Sequence, residues 1–226
     1  MSDNEIKEAV KKGEIIIKEF DEHQINPASY DARLGKQIFK TKKEEGLIDS
    51  SKKGIIIIEI GEFVLLSTCE NFTLPNNIAG QIGLRSHYAR KGLILLSGPQ
   101  IDPGFRGILT LGVYNVGPKI VAIPFLEPFC TIEFHKLNVP ATEPYEGEYQ
   151  NQTTIPTKDI EYFMGARGAT LAEVVETMGN LSNSINTLES TVKGIKRSLW
   201  VIPVIIVVVM TLFGLFQPLW LKYFLG

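Results

Sequence analysis

The chain has 226 residues, 21% of them charged, and a formal net charge of −2. That length allows one sizeable domain plus an appendage, and that charge excludes a general pull toward nucleic acid, so an anionic partner must be met by a local cluster. The two cysteines, Cys69 and Cys130, stand in strand-like runs without paired spacing, which predicts a cytosolic chain with buried thiols and no disulfide framework. The N-terminus is charged throughout and lacks the basic-then-apolar order of a signal peptide.

A short helix capped near Ser2 opens the chain. After it come apolar runs, "GIIIIEIGEFVLLS", "AGQIGL", "GLILLS", "GILTLGVYNVG" and "KIVAIPF", separated at short intervals by Gly, Pro and Asn. That spacing predicts a mainly β sandwich or barrel, and long helical patterns are absent before Thr170. A polar, proline-containing stretch, "NVPATEPYEGEYQNQTTIPTKD", reads as an arm or linker.

From Thr170 the pattern changes. "TLAE" supplies a capping-box start, and Leu171, Val174, Met178, Leu181, Ile185, Leu188, Val192, Ile195 and Leu199 step by three and four, an a/d seam over about four heptads. A stripe this narrow predicts a coiled coil. A single amphipathic helix packed on its own domain tolerates the same pattern, and Gly179 and Gly194 weaken either version. Leu199 to Leu221 then carries no charge, and its 23 residues at about 1.5 Å each span roughly a bilayer core. It reads as one transmembrane helix, with Trp200, Trp220 and Tyr223 near its ends. Lys193, Lys196 and Arg197 precede it against Lys222 beyond, so the positive-inside tendency leaves the large domain in the cytoplasm on a single-pass C-terminal anchor.

"LRSHYAR" places Arg85, Ser86, His87 and Arg90 after a strand, a set of donors suited to phosphate oxygens, although a solvated turn with two arginines has the same composition. "INPASYDARLG", "LPNNIAGQIGLRSHYARKGL", "QIDPGFRGILTLGVYNVG" and "EGEYQNQ" together resemble, in order and spacing, the dCTP deaminase branch of the trimeric dUTPase superfamily, from about Asn4 to Gln152. The resemblance implies a distorted dUTPase-like β-barrel (β-clip), a homotrimer, and nucleotide sites at subunit interfaces. Together with the heptad seam and the apolar run, it divides the chain into 1–157 for nucleotide binding, 158–198 for linker and coiled coil, and 199–226 for the anchor. Arg85 and Ser86 would hold the triphosphate, with His87 and Arg90 in the same segment. Asp102, preceded by Gln100 and Ile101, would meet the 3'-hydroxyl of a pyrimidine deoxynucleotide and, in diphosphatase chemistry, orient water. Phe105 would pack under the sugar and disfavour ribose. Tyr149 and Gln152 would close over the phosphates, which Mg2+ would accompany.

The departures bear on activity. Where dCTP deaminases carry a glutamate that activates water, this chain has Gly112, which supplies neither general acid nor base. No His-x-Glu or Cys-x-x-Cys set offers a metal-dependent route instead. Leu84 replaces a glycine, His87 a serine, and Glu148 a lysine, and a carboxylate repels a triphosphate unless a cation intervenes. Three readings stay open: a deaminase-deficient nucleotide sensor or effector, an active dCTP deaminase or dUTP diphosphatase, and a membrane scaffold or pore assembled by the trimer.

Overall fold

A computed structural model describes residues 1–41, 46–164 and 171–224. The chain separates into two compact units, Met1–Val175 and Glu176–Gly226. In the first, α1 (Asp3–Lys11) starts at the expected cap: Ser2 accepts from the Glu5 amide while the Glu5 carboxylate accepts from the Ser2 amide, which satisfies two donors that helix geometry leaves free. Ile6 and Ala9 are the residues it buries.

Among the described residues twelve strands follow: β1 (Ile16–Lys18), β2 (Ile25–Asn26), β3 (Ser29–Lys40), β4 (Gly46–Asp49), β5 (Ile55–Ile58), β6 (Phe63–Thr73), β7 (Ile78–Leu84), β8 (Leu93–Leu95), β9 (Gln100–Ile101), β10 (Arg106–Asn115), β11 (Val121–Pro124) and β12 (Pro128–Lys136). Two single-turn helices, α2 (Ser50–Lys53) and α3 (Ser86–Ala89), interrupt them. The order β8-β10-β6-β3-β12-β7-β9 forms one curled antiparallel sheet, with β1 beside β6, β2 and β4 beside β3, and a separate β11-β5 ribbon. The fold is therefore mainly β and of the expected barrel type. β6 and β10 bury residues on both faces, so they read in sequence as near-continuous apolar runs rather than as alternation. β5, half-buried, alternates. Strand β3 is long but carries Asp31, Arg33 and Lys40, charges that read as surface in the sequence and are paired in the fold with Arg85, Glu70 and Glu62.

The Arg33 Nε lies 2.7 Å from the Glu70 Oε1, and Glu70 also accepts from the Arg33 amide at 2.9 Å and the Tyr30 hydroxyl at 3.4 Å. Lys40 sits 3.3 Å from Glu62 with both side chains buried. Such pairs are tolerated inside only when their remaining hydrogen bonds are met, as Lys40 does by donating to the Ile57 carbonyl. Both cysteines are free thiols. Cys130 is buried as expected, but Cys69 is only partly buried, because it falls on the outward side of β6, between the buried Thr68 and Glu70, where the strand begins to alternate.

Past β12 the arm leads to α4 (Thr157–Met164), a separate short helix where the sequence reading expected linker. It packs through Phe163 on Phe63 and Phe39, ring centroids 4.8 and 6.2 Å apart, in a small cluster with Leu65, Ile155 and Ile160 that is separate from the main core. The second unit belongs to α5 (Leu171–Phe224), whose stretch Val174–Leu212 contains an 18-residue window of mean hydropathy 2.0 and is, among the described residues, the one helix long and apolar enough to cross a membrane. The expected cap at Thr170 lies outside the described residues, as do the side chains of Trp200, Trp220 and Tyr223.

Candidate nucleotide site

The turn between β9 and β10 shapes one wall of a cavity of about 590 Å3. Pro103 and Gly104 reverse the chain. Gly104 has φ +88, and a β-carbon there would lie 2.6 Å from Pro144, so this position needs glycine on two counts. The reversal brings Asp102 to the cavity, where its carboxylate accepts from the Gln100 side chain at 2.6 Å. Phe105 turns its largely buried ring toward Tyr145, 5.8 Å away. Ile101 lines the same wall and anchors β9 in the core.

The arm lies on this turn. Gln150 donates to the Gly104 and Tyr145 carbonyls at 2.9 and 2.8 Å and accepts from the Arg106 amide at 2.7 Å. Gln152 bridges to Gly107, whose φ of +143 and contact with the Gln152 backbone leave no place for a side chain. Both Tyr149 and Gln152 line the cavity, but the Gln152 amide donates to the Ile108 carbonyl at 2.5 Å, so in this conformation it fastens the arm to β10. Gln150, the main clasp, escaped sequence reading because a glutamine that bonds only to backbone carries no spacing signal.

Gly112, Ser97, Leu96 and Phe63 also line the cavity. The Gly112 amide donates to the Ser97 hydroxyl at 2.6 Å, and a β-carbon at 112 would stand 2.9 Å from two carbons of the Phe63 ring. α4 closes the remaining side with Asp159, Tyr162 and Phe163. Lys158 of α4 lies 4.1 Å from the centre of the Tyr149 ring and pairs with Glu148, which holds that carboxyl below the usual range. The repulsion expected between Glu148 and a phosphate is therefore answered within the chain.

The structure does not bring every expected residue to this cavity. Arg85, Ser86, His87 and Arg90 are not among its lining residues. Arg85 pairs with the buried Asp31 at 2.8 Å, while Ser86 and His87 are exposed on α3 and Arg90 is exposed at its C-terminal cap. Among the described lining residues the ionisable acids are Asp102 and Asp159, and no Lys, Arg or His is present. No group of three or more metal-binding side chains comes together among the described residues. That donor set fits a Mg2+ carried on phosphate oxygens with one or two carboxylates, which is this ion's usual mode, and not a cage built by the protein.

A profile of the family described as dCTP deaminase-like matches residues 1–137, more than half of the chain. This chain belongs to that family. It is 42% identical over 142 residues to a dCTP deaminase of Pyrococcus abyssi, a match covering 63% of this chain and 90% of that one. It is 31% identical over 162 residues to a dUMP-forming dCTP deaminase of Aquifex aeolicus, covering 67% and 89%. A crystal structure of 2'-deoxycytidine 5'-triphosphate deaminase from Agrobacterium tumefaciens matches with TM-score 0.51 at 17% identity, a likeness of fold. That match covers 60% of this chain and 47% of the Agrobacterium chain, so here this chain spans about half its neighbour's length. The profile ends before the arm, so α4 and α5 lie beyond it.

Proposed function

We propose that this protein is a membrane-anchored member of the dCTP deaminase-like family that binds a pyrimidine deoxynucleotide without deaminating it, and serves as a nucleotide sensor or effector. The observation that carries this reading is Gly112. It stands on the cavity wall where the resemblance places a water-activating glutamate, and Phe63 fills the space beside it. Removing a positioned acid–base group typically costs two to four powers of ten in rate. Asp102 would take the 3'-hydroxyl, Phe105 would exclude ribose, and Tyr149 would cover the phosphates.

Among the described residues the cavity has no basic lining residue of its own, which supports a site completed by Arg85, Ser86, His87 and Arg90 of a neighbouring subunit in a homotrimer. Mg2+ would accompany the phosphates. The domain would extend to about 157, the linker and coiled-coil helix of 158–198 would join the three chains, and 199–226 would anchor them with the domain in the cytoplasm. The exposed apolar residues Leu181, Ile185 and Leu188 on α5 support that seam.

The full chain in detergent is expected to release no ammonia from dCTP above background. Release that is linear in protein and lost in Asp102→Ala would overturn this. A second reading, an active enzyme with a relocated acid, draws on Asp159 in the same cavity. It requires that activity be present and that Asp159→Asn abolish it.

A further inference from the structure

α4 supplies three of the cavity's lining residues, Asp159, Tyr162 and Phe163. It is fixed there by a satellite cluster and by exposed contacts, Lys158 with Glu148 and with the face of Tyr149, and not by the barrel core. An element so held belongs to the least stable part of a domain and opens locally before the rest. With α4 docked, the cavity still has about 590 Å3, within the usual range for small-molecule sites, so the helix acts as a wall and not as a plug.

The aromatic side chains on this wall adjoin the part of the cavity lined by Phe63 and Gly112. Phe63 touches the place of a side chain at 112, Phe163 packs on Phe63, and Tyr162 stands edge-on to Phe163 with centroids 5.2 Å apart. Tyr162 is 77% exposed although it lines the cavity, so its ring is free to be covered by a ligand. A planar base gains most from such surfaces, because stacked and edge-to-face contacts add to burial.

We propose that α4 is part of the ligand site, and that a nucleobase in the cavity rests on Phe163 and Tyr162 and thereby holds α4 on the barrel. This deepens the nucleotide reading and rests on it. Occupancy is then reported by the last helix of the first unit, the one that precedes α5 in the chain. A ligand that contacts the docked wall and not the undocked helix shifts that equilibrium by mass action alone.

Hydrogen exchange on the full chain in detergent tests this, with dCTP, dUTP and dATP as probes at millimolar concentration. Bound nucleotide is expected to slow exchange at 159–164 about tenfold, together with 102–112, while α1 is unchanged. Tyr162→Ala, an exposed position that leaves folding intact, and Phe163→Ala are each expected to weaken binding about two- to tenfold and to lose the protection of α4. Protection at 102–112 with α4 unaffected, or wild-type affinity in Tyr162→Ala, would overturn the inference while leaving the nucleotide reading in place. No protection by any of the three probes would remove both.

Discussion

At position 112 the missing side chain and the ring beside it form one arrangement. Leu65 lies opposite Gly112 in the β6–β10 register, and Phe63, two residues away on the same face, leans its ring over the glycine. The glycine backbone is ordinary, so what excludes a larger residue is space and not conformation. Gly112→Ala is therefore expected to lower stability by about 1–3 kcal/mol, the usual cost of overpacking. Phe63→Leu in the same chain should recover most of it, since the two changes share one contact and cannot be additive. Urea unfolding of the four proteins in the cycle measures this, and strict additivity would show that the ring is not the obstacle. The absent acid is legible in sequence because the flanking motif fixes its position. The ring that fills its surroundings comes from a different strand and is not.

Among the elements, α4 differs most from what its sequence announces. Eight residues with Tyr, Phe and Met among charges give no periodic signal long enough to read, and the helix exists because Phe163, Ile160 and Ile155 find an apolar recess beside Phe39 and Phe63. Its polar side is secured by Lys158, which holds the Glu148 carboxyl below the ordinary range and has its own proton affinity raised in return. The sign follows directly. A carboxyl depressed in the folded state contributes stability above the ordinary glutamate value, about 4.3, and loses it as pH falls through the lower folded value. Exchange at 157–164, corrected for intrinsic rates, should thus rise below about pH 4 relative to α1, and Glu148→Gln should flatten that dependence. Because both groups are exposed, salt should weaken the effect too.

At the scale of the whole molecule, the division of the site decides what can be tested. Asp102 and Phe105 line the cavity of one protomer, while Arg85 and Arg90 stand outside it. If trimer interfaces join them, Asp102→Ala and Arg85→Ala should each abolish binding alone, yet complement when co-expressed. Random mixing of equal amounts leaves about one site in four with both native residues. Calorimetry on the mixed assembly should recover about that fraction of binding sites. A mixture as inactive as either parent would place both residues in one chain's site.

Read alone, the sequence determines the β-rich class, the helix cap at Ser2, the turn at Asp102, the loss of the acid at 112 and the apolar C-terminal helix. These rest on local causes: period, turn chemistry, capping and length, each contained within a few neighbouring residues. The family motifs extend that reach to the barrel type and to the positions of the expected site residues. Only the tertiary structure decides that the arm is clasped by Gln150, that Phe63 occupies the space beside Gly112, that Lys158 answers Glu148, and that α4 forms a wall of the cavity. It also decides that the arginine segment lies outside the cavity that holds Asp102. Each of these depends on which distant segments meet, and a pleated sheet settles that by pairing and register across the chain, which no local pattern encodes.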